Sequence, residues 1–364
     1  MRRILLILLL LQSCSVIYKV DQDKIQKFKF QVASELRKRL SLGLPLRPDG
    51  YCYAIDLAEI MQAGVESDDS LLFIRAYEIL KRNYIVRDSW IDSAVLWRYK
   101  PGAGIDASGT AETIHCAYAI FLAYKKWGIE EYKRVSYSLA KAYLKHGFMI
   151  DSDRFLVKNY FNYQTRTLSE NTWMINQRPD FLMLIGMENN DKDMLEKSRL
   201  MYNAVIKAYV KNGFFYSLYD IGIKTVVPSS SGYYSPDGFF PLISSIDIGI
   251  SIFQFNREPS KQILEFIYNN FGKWSEYYVL SNGKFMPSNF SDGFSLVVSS
   301  KIVDIYFLLK KPIKYRTLVL YIAGDILPEK VEAMLKAGPE KIDSFYFELA
   351  ITLRTLNRLM GDEI

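Results

Sequence analysis

The sequence predicts an all-α protein, an (α/α)6 toroid of alternating inner and outer helices with short extended loops. Three observations carry that prediction. Helix follows helix from about residue 24, the helices alternate between two kinds, and carboxylates recur at the heads of one kind. The apolar kind belongs inside, because a helix that is apolar nearly all round needs its whole circumference covered. The amphipathic kind belongs outside it, with one stripe turned inward and its charges in water. Two concentric rings of this sort surround a central cleft formed by the loops at the N-termini of the inner helices. An α-solenoid shares the alternation, but only a closed ring brings carboxylates from distant segments together. The 364 residues are enough for one such ring.

Taken in order, the start "MRRILLILLLLQSCS" lies outside the fold. Arg2 and Arg3 form a basic head, and Ile4 to Leu11 form an apolar run too short to cross a bilayer as a helix. Leu11-Gln12-Ser13-Cys14 resembles the lipobox of bacterial lipoproteins, in which the Cys becomes the lipidated first residue. An ordinary secreted protein with an incidental Cys is the competing reading. The expected organisation is therefore a signal peptide over 1–13, a lipidated linker over 14–23 and a single catalytic-type domain over 24–364. The expected location is the bacterial envelope, lipid-anchored at the outer membrane and facing the periplasm.

"RPDGYCYAIDLAEI", Arg47 to Ile60, leads into the first apolar helix, with Asp49 ahead of it. Thr113 to Trp127 is a second, apolar on most sides until its last turn. Glu131 to His146 follows as an outer helix, with Tyr132, Val135, Leu139 and Tyr143 on one stripe and lysines and an arginine elsewhere. The alternation recurs at 179–188 and 192–211, at 238–254 and 259–271, and at 292–309 before two further helical stretches. From about Pro312 onward the helices serve to close the ring. Gly128, Gly147, Gly213 and Gly272 stand where helices should end in a left-handed residue. "HGFMIDSDRFLVKNYF" and "NGFFYSLYD" read as short extended pieces after outer helices.

Composition narrows the function. The chain is 49% hydrophobic, 24% charged and 15% aromatic, with a net charge of +6. No basic cluster interleaved with aromatics suggests a nucleic-acid groove, and no Gly-rich fingerprint suggests a nucleotide. With only His115 and His146 and no paired Cys motif, a zinc site is not expected, and no cofactor is implied. Cys52 and Cys116 of the mature chain are read as buried free thiols in preference to a bridge.

The carboxylates at the heads of inner helices are Asp49, Asp106 with Glu112, Asp180 and Asp237. Each taken singly reads as an N-cap, since a helix N-terminus stabilises negative charge. Several converging on one cleft suit acid–base chemistry on a glycosidic bond, which needs two carboxyl groups of different pKa.

Three segments in order resemble glycoside hydrolase family 8 over most of residues 45 to 275. "PDGYCYAIDLAEI" is similar to the family's Ser-Glu-Gly-x-x-Tyr segment leading into an apolar helix. "LWRYKPGAGIDASGTAETIHCAYAIFLAYKKWG" is similar to its Trp-rich strand, small-residue turn and long helix. "YYSPDGFFPLISSID" is similar to its Tyr-Asp-Ala-x-Arg-x-Pro segment. The resemblance implies an inverting endo-glycosidase acting, as a monomer, on a β-1,4-linked polysaccharide such as a glucan, with catalytically inactive glycan binding as the alternative. It puts Asp49 in the place of the general acid and Asp237 in that of the base. Asp106 or Glu112 takes the sugar-distorting position, and Tyr53 matches the Tyr of the first segment. Trp97 and Tyr99 are candidates for sugar stacking or for plain core, and Asp180 for substrate binding. In this reading burial keeps Asp49 protonated. Two departures stand out: Asp49 replaces a Glu, and Phe239 replaces an Arg.

Overall fold

A computed structural model describes residues 21–87, 91–227, 238–288 and 294–361. The signal-peptide segment, Cys14 and Asp237 lie outside the described residues. Thirteen α-helices follow in order: α1 (Gln22–Ser41), α2 (Ala54–Glu66), α3 (Ser70–Asn83), α4 (Thr110–Trp127), α5 (Glu130–Leu144), α6 (Pro179–Glu188), α7 (Lys192–Ile206), α8 (Leu242–Ser251), α9 (Glu258–Asn269), α10 (Leu296–Leu308), α11 (Arg316–Tyr321), α12 (Leu327–Ala337) and α13 (Phe345–Gly361).

The inner ring is α2, α4, α6, α8, α10 and α13, each packed on the next, and α13 returns to α2 to close it. The C-terminal region supplies this sixth inner helix. Burial follows the two kinds of sequence. In α2 every residue from Asp56 to Val65 is buried, whereas α3 buries only Leu72, Phe73, Ala76, Tyr77 and Leu80.

The two rings also start differently. Aspartates cap the outer helices: Asp21 accepts from Lys24 N, Asp69 from Leu72 N and Asp191 from Met194 N. The inner helices α2, α4, α6 and α8 begin at Tyr53, Gly109, Arg178 and Pro241 without any side-chain cap. Asp49, Asp106 and Glu112 therefore have no capping role, and their placement needs another account.

Short strands lead the chain into these heads. They include β1 (Cys52–Tyr53), β2 (Arg98–Tyr99), β3 (Ala107–Gly109), β4 (Gly147–Asp151), β5 (Arg154–Val157), β6 (Tyr160–Asn162), β7 (Thr167–Leu168) and β8 (Asn171–Trp173). β1 pairs antiparallel with β2, and β3 with β6, which in turn pairs with β7. The two aromatic pieces read as extended are strands, but strands are more frequent than the sequence pattern suggests. Most are two or three residues long, below the length at which alternation can be read.

Some expected boundaries move for local reasons. The helix expected over 238–254 begins only at Leu242, because Phe239–Pro241 pairs with Tyr277–Val279 as a strand. The outer helix expected to run to 211 stops at Ile206, and Gly213, at φ 83°, lies in the hairpin turn that follows. Of the four glycines expected to end helices, Gly128 does so in the left-handed region, at φ 68°. Gly147 opens β4, where a Cβ would come within 2.0 Å of the Phe155 ring. Gly272 lies beyond Asn270, which caps α9. Cys52 and Cys116 are both buried free thiols. Among the described residues, no helix is long and apolar enough to cross a membrane.

Candidate active site

The heads of α2, α4 and α6 surround a cleft of about 420 Å³. Trp97 and Trp173 line it, with Asp106, Glu112, Tyr160 and the carboxamides of Asn159, Asn162, Asn171 and Asn176. Two aromatic faces, convergent amides and two carboxyl groups are a fitting lining for a polyhydroxylated ligand.

Each wall is fixed by backbone pairing. Trp97 N donates to Ala107 O at 3.2 Å, and Ala54 N, at the start of α2, donates to Trp97 O at 3.1 Å. The Trp97 indole N–H donates to Asp106 Oδ1 at 2.8 Å, and Arg98 Nε donates to Asp106 Oδ2 at 3.1 Å. Asp106 also accepts from Ala107 N, so it is an anchored carboxylate that orients a tryptophan. On the opposite wall, Asn159 Oδ1 accepts from Trp173 N at 2.6 Å and from Asn176 Nδ2 at 3.1 Å, while its own amide donates to Asn171.

Glu112 is different in kind. It stands in the first turn of α4, half-buried, and among the described residues no side chain donates to its carboxyl group. Burial raises its pKa to about 7, opposed by its own backbone N–H and by the charge of Arg47, and assisted by the charge of Asp56. Gly109 makes room for it: a Cβ there would approach Glu112 Oε2 to 1.8 Å. The head of α4 is pinned by Thr113, whose hydroxyl donates to Gly109 O at 2.7 Å and accepts from Val95 N at 3.0 Å.

Asp49 departs from the sequence expectation. Its side chain is exposed and lies outside the cleft lining. Tyr53 Oη donates to Asp49 Oδ2 at 2.6 Å and Tyr51 N donates to Oδ1 at 3.0 Å. Burial here is too slight to prevail. The two hydrogen bonds, with Arg47 and Arg98 nearby, hold the carboxyl below its ordinary range, so Asp49 is ionised rather than kept protonated. Tyr53 supports the wall instead of lining it, standing edge-on to Trp97 with ring centroids 5.7 Å apart. Tyr99 packs on Tyr84 at 5.7 Å and is part of the core.

Asp180 belongs to a second, deeper space. All six inner helices or their ends contribute to an axial cavity of about 160 Å³ running toward the C-terminal ends of the inner helices. Here Arg178 grips Asp180 through two bonds and lies 3.5 Å over the Phe181 ring. Glu59 accepts from Arg354 Nη1 at 2.6 Å and faces His115 Nδ1 at 3.3 Å. Arg354 and Arg358 both reach Glu66, Arg358 also pairs with Asp304 at 2.6 Å, and Lys301 pairs with Asp247 at 2.8 Å. These charges satisfy one another. The sequence reading missed them, although the signal was present: Asp56, Glu59 and Gln62 recur every third residue in α2, a polar stripe on an apolar helix. Among the described residues, no group of three or more His, Cys, Asp or Glu is arranged to hold a metal ion.

No family model and no curated protein matches the chain in sequence. Solved structures match it in fold. A novel α-amylase from Clostridium perfringens superposes with a TM-score of 0.65 at 14% identity, covering 85% of this chain and 86% of that one. Rex8A from Paenibacillus barcinonensis, complexed with xylose, gives 0.61 at 13% identity over 95% and 96% of the two chains. A reducing-end-xylose releasing exo-oligoxylanase complexed with xylose gives 0.57 at 14% identity over 86% and 83%. At such identities the likeness is one of fold, and it is the (α/α)6 toroid that the resemblance to glycoside hydrolase family 8 implies.

Proposed function

We propose that the protein is a glycosidase whose general acid is Glu112. The observation that carries this reading is the unpaired carboxyl group of Glu112, raised to about 7, in a cleft walled by Trp97 and Trp173. An acid in that range is protonated over much of the neutral region and gives up its proton readily as the leaving oxygen develops charge. The aromatic faces hold the sugar rings, the four asparagines meet ring hydroxyls, and Asp106 keeps Trp97 in place. The names of the fold neighbours, an amylase and xylose-releasing enzymes, support glycoside hydrolysis as the reaction class.

The finer proposal is an inverting endo-hydrolase of a β-1,4-linked polysaccharide, glucan or cellulose in type. It acts in the bacterial envelope, tethered through Cys14. Asp237, by its match to the family's third segment, is the proposed base. It activates a water on the ring face opposite Glu112, which requires the two carboxyl groups to stand roughly 6.5–9.5 Å apart. One observation favours a second reading, catalytically inactive glycan binding: Asp49, which occupies the family's acid position, is exposed and ionised.

The test is release of reducing ends from soluble β-1,4-glucan, xylan, chitosan and starch by the wild type, Glu112→Gln and Asp49→Asn. The proposal expects release by the wild type and by Asp49→Asn and none above background from Glu112→Gln. Activity lost in Asp49→Asn and kept in Glu112→Gln returns the acid to Asp49. Glycan binding without release by any of the three supports the binding protein. Release from starch alone overturns the β-linkage.

A further inference from the structure

The loop that enters α2 is tied to the site by one ion pair. Arg47 Nε donates to Asp56 Oδ2 at 2.9 Å and Nη2 donates to Oδ1 at 2.6 Å, a bidentate contact with a fully buried carboxylate. The same guanidinium lies 4.1 Å over the Tyr53 ring. Arg47 N donates to Tyr51 O and Gly50 N to Arg47 O, so the turn carrying Asp49 closes on Arg47. Tyr53 in turn meets Trp97, the wall residue held by Asp106. The contacts run from Asp56 through Arg47 and Tyr53 to the Trp97 wall, and the pair's two opposite charges both act on Glu112.

We propose that Arg47 and Asp56 form a positioning pair for Glu112, an ion pair that fixes the cleft wall while presenting balanced charge to the acid. This rests on the reading of Glu112 as the acid. A lone arginine at this place would draw the proton off Glu112, and a lone aspartate would hold it too firmly. Paired bidentately, each cancels much of the other, and burial is left as the dominant influence. The other charged groups around Glu112 are Asp106 in the cleft, Asp49 on the loop, and Glu59, His115 and Arg178 one turn deeper. Among the described residues these have partners of their own.

The test uses a property that lost packing does not reproduce: shifts of opposite sign. The carboxyl titration of Glu112 is followed by ¹³C NMR in the full-length protein, its resonance assigned by its absence in Glu112→Gln. Asp56→Asn, which leaves Arg47 uncompensated, is expected to lower the midpoint, and Arg47→Gln to raise it. Each shift should be roughly half a unit to one unit, about a three- to tenfold change in the protonated fraction on the basic side. The double variant should return near the wild-type midpoint. The basic limb of kcat/KM should move with each midpoint. Because Asp56 is fully buried, Arg47→Gln alone keeps the test decisive if Asp56→Asn fails to fold. Shifts of one sign in both single variants, or no shift in Arg47→Gln, overturn the pair. Opposite shifts in a protein that releases no sugar from any glycan support the pair and overturn the acid role, so the two failures are distinct.

Discussion

Glu112 and Glu59 sit on adjacent inner helices that pack against each other, and both face the axis of the ring, yet they are opposites. Glu112 opens onto the cleft with no side-chain partner, and burial lifts its pKa to about 7. Glu59, deeper along the axis, receives Arg354 and faces His115. These cations, with Lys301 nearby, overcome a larger burial and hold it well below the carboxylate range. Burial alone thus predicts neither state. A carboxyl group in a core is a store of a proton when left alone and a fixed anion when paired, and this fold places one of each within a few turns.

The largest expected effect breaks the first half of that contrast. Glu112→Gln keeps the shape and removes the proton donor, so kcat should fall by about 10²- to 10⁴-fold on any glycan the wild type cleaves. Reducing-end assays at several pH values check this. The wild type should lose activity as pH rises through about 7, where Glu112 gives up its proton, and the residual activity of Glu112→Gln should not show that limb.

The next effect is on stability and lies at Glu59. Glu59→Gln strands Arg354 in the interior, which should cost about 3–5 kcal/mol. Chemical denaturation with the slope held common would measure it. The sign with pH follows from the lowered pKa. Glu59 is ionised in the folded state, so its contribution is present above the ordinary glutamate pKa and is lost as pH falls through and below it. The variant should therefore lose stability at neutral pH and converge on the wild type in acid.

At Glu112 the same substitution should act the other way. A folded-state pKa raised from the ordinary 4.5 to about 7 means that the folded protein binds the proton more tightly than the unfolded chain. Stability from this group falls as pH rises between those values, by up to roughly 3 kcal/mol at ~1.4 kcal/mol per unit. Glu112→Gln should be more stable than the wild type above pH 7, the reverse of Glu59→Gln. Equal destabilisation by both would dissolve the comparison.

The ring itself was legible in the sequence because burial on all sides leaves a mark along 13 consecutive residues of α2, while the capping aspartates mark the outer helices. The cleft was legible in part. Trp97, Asp106 and Glu112 lie close in sequence and meet in space. What sequence reading could not reach was which carboxyl group keeps its proton, since that is decided by partners far along the chain: Arg354 is 295 residues from Glu59. Asp49 was placed in the acid's role by motif order, which carries no information about exposure. The charged axis was overlooked for a related reason. Averaged round the helix, α2 and α10 read as apolar, and only residue-by-residue spacing separates the polar stripe from the rest.

The smallest effect sharpens the contrast at its outer edge. Asp49 is ionised like Glu59 but exposed like a surface residue, so its anion is held by hydrogen bonds in contact with water rather than by buried cations. Asp49→Asn keeps an acceptor for Tyr51 N and for the Tyr53 hydroxyl, and should change stability by no more than about 1 kcal/mol. Its activity should stay within about tenfold of the wild type, through slight loosening of Tyr53 against Trp97. A loss as deep as that of Glu112→Gln, at unchanged stability, would mean that the exposed carboxyl group handles the proton. The division between the lone acid and the paired anions would then have to be redrawn around the loop rather than the helix head.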